Sequence, residues 1–204
     1  MTTIITDHLL EERIRAERAA TGADHYDEVW DGVYIMAPMA NNEHQDFVGF
    51  LTGIIQETIR RPRLGKVLPG TNVTDREDDW TLNYRVPDVA VFLNGTRAQN
   101  RGTHWFGGPD FAIEVVSVDD NSREKIPFYE KVGTRELLVI DRDPWSLELY
   151  RLSDGQLQLV GTVHTGDGNS VLSEVVGLSF QLLTGEERPE LLVTQPASDK
   201  QWRE

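Results

Sequence analysis

Two carboxylates stand inside otherwise apolar segments of the sequence. Glu114 lies in FAIEVVS, and Asp88 lies about 26 residues earlier in VPDVAV, directly after Pro87. A buried carboxylate without a partner is costly and its pKa rises, so each acid needs an arginine, a lysine or a metal ion. Backbones of neighbouring strands lie roughly 5 Å apart, and two acids at matched heights can share one divalent ion. Lys125, from the next helix, can complete such a site.

The alternation of residues along FAIEVVS sets the direction of the acid. Phe111, Ile113 and Val115 point to one face of the predicted strand, and Ala112 and Glu114 point to the other. We expect the first face to be core. On the second face, the small Ala112 predicts space above the sheet through which a ligand approaches Glu114.

The elements that position these acids follow from the apolar pattern. Residues 9–20 predict a helix, and Asp31 with Gly32 predicts a tight hairpin between two apolar arms. Residues 44–61 carry an apolar stripe at helical spacing, with Asn42 as the cap. Further strands are predicted over 65–73, 86–93 and 111–116, then a helix over 122–133, a strand at LLVID and a final hairpin formed by WSLELYRL and LQLVGTV.

This order predicts an α+β fold, with a mixed central sheet flanked by helices and extra hairpins at both ends of the chain. The chain has 204 residues, of which 39% are hydrophobic, which suits a single core. We expect one domain over residues 1–193 and a polar tail over 194–204.

Composition excludes several classes of protein. The absence of cysteine rules out disulfides and zinc fingers, and it is compatible with a reducing cytoplasm. No apolar run approaches the roughly 20 residues that span a bilayer, so we expect a cytoplasmic protein without a membrane partner. The net charge of −14 counts against casual nucleic-acid binding, although salt screens distant acids from a phosphate held in a local basic groove.

The acids and their neighbours resemble a known family, the Uma2-type restriction endonucleases of the PD-(D/E)XK nuclease superfamily. The resemblance covers most of the chain and rests on segments in the family's order: DGVYIMAP, EHQDFVGFL, RVPDVAVF, FAIEVVS, REKIPFYEKVGTRELLVID and LELYRL. It implies a restriction-endonuclease-like core in which Asp88, Glu114 and the backbone carbonyl of Val115 hold Mg²⁺, with Mn²⁺ as a substitute. It also implies hydrolysis of DNA phosphodiester bonds.

The sequence departs from the common superfamily pattern beside the second acid. Val116 stands where most members carry a lysine, and the resemblance assigns that role to Lys125, as in other Uma2-type proteins. Val118 replaces the family's usual proline. The resemblance implies auxiliary roles for four further residues: Glu43, His44, Ser117 and Tyr129.

Each assignment has a structural alternative. Asp88 can cap a turn after Pro87, and Glu114 can pair with Arg85 or Arg123. Lys125 can be a solvated cation at a helix end. Glu43 and His44 can serve only the first turn of their helix, where the helix dipole favours a carboxylate.

Candidate contacts with DNA come from local basic residues. These are Arg60, Arg61, Arg63, Lys66 and Arg123. A homodimer that combines two such patches can make paired cuts. Three functions therefore stay open: a Mg²⁺-dependent endonuclease, a catalytically silent nuclease-like module that binds nucleic acid or a protein, and a hydrolase of other substrates.

Overall fold

The computed structural model describes residues 8–37, 40–116 and 122–204. The helices in these ranges are α1 (His8–Thr21), α2 (Asn42–Ile55) and α3 (Ile126–Lys131), with a π-helical segment Gln56–Arg60 that prolongs α2 and 3₁₀ turns at Trp80–Leu82 and Ser122–Lys125. The strands in these ranges are β1 (Glu28–Trp30), β2 (Val33–Ile35), β3 (Gly65–Pro69), β4 (Val73–Thr74), β5 (Tyr84–Arg85), β6 (Val89–Leu93), β7 (Gln99–Asn100), β8 (Trp105–Phe106), β9 (Phe111–Val115), β10 (Glu136–Arg142), β11 (Trp145–Ser153), β12 (Gln156–His164), β13 (Val171–Ser173), β14 (Leu178–Leu183), β15 (Glu190–Gln195) and β16 (Lys200–Arg203).

A mixed six-stranded sheet forms the centre of the fold. Its strand order is β12-β11-β10-β9-β6-β3, and β9 and β10 run parallel while the other neighbours are antiparallel. The parallel pair needs a crossover, which the 3₁₀ turn and α3 supply. The predicted α+β class and the mixed central sheet with flanking helices are therefore confirmed.

At β9 both faces of this sheet are buried, but under different layers. Phe111, Ile113 and Val115 of β9 pack into a large core with α2 and with the strands of a four-stranded sheet, β13-β14-β15-β16. Ala112, on the other face, packs into a smaller core with Phe128 and Tyr129 of α3. The alternation of β9 is as predicted, although its second face is covered by α3 and is not open.

A second six-stranded sheet of short strands lies beside α3, in the order β2-β1-β5-β4-β8-β7. It begins with the predicted hairpin, in which Trp30 pairs with Val33. Asp31 and Gly32 both have positive φ, 48° and 90°, the backbone of a two-residue type I′ turn. As a result, β1 lies on the side of the central sheet that α3 covers.

The cap of α2 differs from the prediction by one residue. Asn41, with φ −74° and ψ 167°, is the cap, and its Oδ1 accepts the His44 N–H at 2.8 Å. Asn42 is instead the first residue of the helix. A cap must reach the N–H group three residues ahead, and Asn41 has that relation to His44.

The C-terminal segment also differs from the prediction. Residues 194–204 do not form a separate polar tail, because β16 pairs with β15 and Trp202 packs against the larger core. The polar residues of this segment occupy the exposed face of an edge strand, which composition alone does not distinguish from a tail. None of the helices in the described residues has the length and apolarity needed to cross a membrane.

Candidate active site

Asp88 and Glu114 come together where β6 begins and β9 ends. The antiparallel register pairs Val89 with Ile113, so one step further brings Asp88 opposite Glu114. Asp88 itself precedes the first residue of β6, and its charge contributes to the raised pKa of Glu114, so the two carboxylates lie close together. Glu114 is thus on β9 as predicted, whereas Asp88 lies directly before the neighbouring strand β6.

Asp88 is fixed by groups from two other elements. Its Oδ2 accepts the backbone N–H of Val115 at 2.7 Å, and its Oδ1 lies 3.1 Å from Nε2 of His44 on α2. The ladder is interrupted here, because the carbonyl of Pro87 accepts the N–H of Gly70 instead of bonding to β9. The Asp88 carboxylate thus takes the place of a main-chain acceptor, and its side chain keeps 18% of its surface exposed.

Glu114 is almost fully buried, and two side chains from the next helical segment cover it. Lys125, at the end of the 3₁₀ turn, places Nζ 3.0 Å from Glu114 Oε2. Tyr129 donates its hydroxyl to Oε1 in a short hydrogen bond. Pro127 sits in the first turn of α3, as expected, so Lys125 caps the helix and Tyr129 follows one turn later. Both side chains therefore reach the same carboxylate.

Burial dominates the electrostatics of this group. It raises the pKa of Glu114 to about 8, against the opposing influence of Lys125 and with support from the charges of Asp88 and Glu28. Burial, followed by the neighbouring Glu114 charge, raises the pKa of Tyr129 well above its ordinary value, so Tyr129 remains a hydrogen-bond donor. The negative charge of the carboxylates in this site is therefore only partly balanced by the positive charge of Lys125.

Glu28 is a member of the cluster that the sequence did not single out. It comes from β1, is 4% exposed, and its Oε1 lies 2.9 Å from Lys125 Nζ. The signal that marks Glu114, an acid in a short apolar strand, is also present in EVW, but that strand is only three residues long. Lys125 thus bridges two carboxylates from two different sheets.

The helix α2 contributes one of its two predicted residues to the acids. His44 reaches Asp88, whereas Glu43 forms an ion pair with Arg142 of β10 at 3.1 Å. Arg142 also donates from Nε to the carbonyl of Val116, at 3.4 Å. Sequence patterns gave no sign of Arg142, because its partner lies 99 residues away. Glu43 and Arg142 therefore border the end of β9 on the α2 side.

The two arginines considered as partners of Glu114 have other partners. Arg123 bonds to Asp141 at 2.9 Å and to Glu148 at 2.8 Å. Arg85 lies between the rings of Trp30 and Phe128, and burial lowers its pKa. Among the alternatives for Glu114, the structure therefore favours Lys125 over an arginine.

The remaining basic candidates lie far from the acids. Arg60, Arg61 and Arg63 are exposed at the far end of the α2 segment, and Lys66 pairs with Phe92 near the end of β6. Four residue steps separate Asp88 from Phe92, a distance of about 14 Å along the strand. The structure therefore brings together Asp88, Glu114, Lys125, Tyr129 and His44, but not these four basic residues.

The side chains of Asp88 and Glu114 provide only part of the ligands that a hard cation such as Mg²⁺ needs. Mg²⁺ is usually held by one or two carboxylates with water completing its shell, and Asp88 with Glu114 offers that pair. In the part of the chain that the structure describes, no three His, Asp or Glu side chains converge on a metal position. A cation that takes oxygens from both acids must replace contacts made by Lys125 and His44, and a contact from the Val115 carbonyl stays a prediction. Ser117 and Val118 lie outside the described residues.

Comparisons with known proteins agree with this architecture. A crystal structure described as "a putative nuclease belonging to DUF820" from Anabaena variabilis is similar in fold, with a TM-score of 0.60 and 20% sequence identity over 74% of this chain and 83% of that chain. A search of the curated proteins gives no match. The family model of Uma2, described as "putative restriction endonuclease", matches residues 14–184. The chain therefore belongs to the Uma2 family.

Proposed function

We propose that this protein is a metal-dependent endonuclease that hydrolyses phosphodiester bonds of DNA at Asp88, Glu114 and Lys125. One observation carries the proposal: in a member of the Uma2 family, Asp88, directly before β6, lies close to Glu114 of the neighbouring β9, and a lysine from the following helical turn contacts Glu114. Mg²⁺ is the proposed cofactor, with Mn²⁺ as a substitute. A bound divalent cation supplies an acidified water and neutralises charge on a phosphate oxygen.

The residues of the chain have separate tasks in this proposal. Asp88 and Glu114 hold the cation, and His44 fixes the orientation of Asp88 through its bond to Oδ1. The Lys125 ammonium neutralises charge that develops on the phosphate oxygens. Tyr129 donates to Glu114 Oε1 and so keeps this carboxylate in place beside Lys125, where it would hold a cation.

Contacts to the DNA backbone are assigned by position. The exposed Arg60, Arg61, Arg63 and Lys66 contact phosphates away from the cleaved bond, because they lie at the far end of β6 from Asp88. Arg123 is left out of the interface, since both of its partners are carboxylates. We propose a homodimer as the working form, and gel filtration with light scattering tests it; a monomer at the concentrations that cut DNA overturns this part.

Cleavage of supercoiled plasmid tests the proposed function. We expect nicked or linear DNA with Mg²⁺ or Mn²⁺ and none with EDTA. Asp88→Asn keeps an acceptor for the Val115 N–H, and Glu114→Gln keeps the shape of the side chain, so both variants should fold. Their rates should fall at least 100-fold. Glu148→Gln, on the same face of the sheet two strands from β9, is the matched control and should cut within about threefold of the unchanged protein.

A silent nuclease-like module is the second candidate function. The observation that favours it is that protein groups contact both oxygens of each acid. Calorimetric titration with Mn²⁺ separates the two candidates. Binding that Asp88→Asn abolishes supports the endonuclease. Absence of binding together with absence of cleavage supports the silent module, and equal cleavage by the Asp88 and Glu114 variants indicates a contaminating nuclease.

A further inference from the structure

Glu28 is a buried carboxylate with three well-defined donors. Oε1 accepts the backbone N–H of Val86 at 2.7 Å and lies 2.9 Å from Lys125 Nζ. Oε2 accepts the indole N–H of Trp30 at 2.7 Å. Each donor comes from a different place: β1 itself, the segment before Asp88, and the turn before α3. The carboxylate is therefore held in one orientation.

The partners of Glu28 link it to both proposed catalytic acids. Val86 is followed directly by Pro87 and Asp88, so its bond to Glu28 fixes the backbone from which Asp88 projects. Lys125 contacts Glu114 Oε2 with the same ammonium group that contacts Glu28. Glu28 is thus joined to one acid through the main chain and to the other through a cation.

Under the proposed function, the two contacts of the Lys125 ammonium, with Glu114 and with Glu28, respond differently when a cation binds. A divalent cation held by Glu114 would compete with Lys125 for this carboxylate, because both are positive. Glu28 keeps its bonds to Trp30 and Val86 in that event, since neither donor contacts Glu114. An ammonium group with a side chain only 11% exposed then still has one buried carboxylate as its partner.

We infer that Glu28 is a positioning residue, which keeps the Lys125 ammonium in the site when Glu114 turns to a divalent cation. The inference rests on the proposed function for its role in cleavage, and on the geometry alone for its hold on Lys125. Glu28 binds neither substrate nor cation in this scheme. It determines where the positive charge of Lys125 stands relative to the phosphate.

The hold on Lys125 can be measured without cleavage. The chain has four lysines, Lys66, Lys125, Lys131 and Lys200, so ¹⁵N-lysine labelling gives an assignable set of ammonium signals in NMR. A buried, hydrogen-bonded ammonium exchanges its protons slowly and gives a visible cross-peak. We expect the Lys125 signal in the unchanged protein and in Glu114→Gln, where Glu28 is the remaining carboxylate partner, and its loss when Glu28→Gln is added to Glu114→Gln. Glu148→Gln, which removes one carboxylate from Arg123, should leave the signal unchanged.

The role in cleavage requires a second measurement. We expect Glu28→Gln to lower kcat for plasmid nicking about 10–100-fold, as removal of an outer-shell partner does, with KM and the Mn²⁺ dissociation constant changed less than threefold. A Lys125 signal that persists in the Glu114→Gln/Glu28→Gln double variant overturns the inference, and so does a Mn²⁺ dissociation constant that rises in Glu28→Gln as it does in Glu114→Gln. If the unchanged protein neither binds Mn²⁺ nor cuts DNA, the proposed function fails, and the NMR signals still decide whether Glu28 holds Lys125.

Discussion

Arg123 and Lys125 are two cations of one 3₁₀ turn, and each bridges two carboxylates. Arg123 joins Asp141 and Glu148, and its own side chain is 42% exposed. Lys125 joins Glu114 and Glu28, and its side chain is 11% exposed. The two bridges are alike in charge count and differ chiefly in their access to water.

That difference changes what each bridge does to its acids. Burial opposes ionisation at Glu148, but the hydrogen bonds from Arg123 and Tyr150 outweigh it and lower the pKa of Glu148. At Glu114 burial prevails over Lys125 and the pKa rises to about 8. At the more exposed bridge, the donors around Glu148 outweigh the effect of burial on its pKa. At the buried bridge, Lys125 does not outweigh the burial of Glu114, so a cation of higher charge would stabilise the ionised form of Glu114 further. Burial of the carboxylate and its cation, rather than the number of ion pairs, therefore distinguishes the candidate site from the Arg123 bridge.

The largest expected effect is on stability. Lys125→Met removes the cation from two buried carboxylates, and breaking a buried pair in this way costs about 3–5 kcal/mol. Arg123→Gln acts on an exposed bridge and should cost less than about 1 kcal/mol. Urea denaturation at pH 7 measures both. Adding Glu114→Gln to Lys125→Met should recover part of the loss, and equal costs for the two single variants contradict the comparison.

The effect on cleavage should be nearly as large. If Lys125 stabilises charge on the phosphate, Lys125→Met slows plasmid nicking about 100-fold, equivalent to about 2.7 kcal/mol. Arg123→Gln should stay within about fivefold of the unchanged protein. Rates at saturating Mn²⁺ are compared on variants whose circular dichroism is unchanged. If Arg123→Gln cuts more slowly than Lys125→Met, the cation that matters for cleavage is Arg123, and the assignment to Lys125 is contradicted.

The two bridges should give opposite pH dependence of stability without metal. Glu114 has a raised pKa in the folded state, so it binds a proton there that the unfolded chain has lost, and stability falls as the pH rises from about 4.3 towards 8. The slope is at most about 1.4 kcal/mol per pH unit, or about 2 kcal/mol between pH 6 and 7.5. Glu114→Gln should flatten this decline.

Glu148 should behave in the opposite way. Its folded-state pKa is lowered, so its contribution is present above about pH 4.3 and is lost as the pH falls through the folded value. Urea midpoints measured from pH 3 to 9 for Glu114→Gln and Glu148→Gln should therefore diverge at opposite ends of the range. A decline above pH 6 that survives in Glu114→Gln contradicts the assignment.

The smallest expected effect is the response to salt. A double-mutant cycle of Arg123 with Glu148 should give a coupling of about 0.2–1 kcal/mol that decreases at 1 M salt, where the Debye length is about 3 Å. The coupling energy from the double-mutant cycle of Lys125 with Glu28 should change little at 1 M salt, because salt screens buried pairs less. A salt response of equal size at both bridges removes the distinction between them.

The sequence predicted the parts of the site that local patterns determine. Alternation in FAIEVVS gave the direction of Glu114, and the spacing of Lys125 and Tyr129 gave their common face on the next helical segment. These relations depend on neighbours in the chain, which period and turn chemistry describe well.

Other parts depend on contacts between distant residues. Glu28 meets Val86 across 58 residues and Arg142 meets Glu43 across 99, and nothing in either local segment specifies the partner. The open space expected above Ala112 is filled by α3, since a small residue can make room for a helix as well as for a ligand. The C-terminal strand was missed because an edge strand with one polar face reads like a tail.

The acceptor role of Asp88 has a mechanical consequence. Its carboxylate takes the N–H of Val115, one residue beyond Glu114, so the position of one acid is referenced to the main chain that carries the other. This hydrogen bond opposes a change in the spacing between Asp88 and the end of β9. A substitution that removes the acceptor at position 88 would therefore loosen the attachment of the Val115 main chain as well as remove a charge.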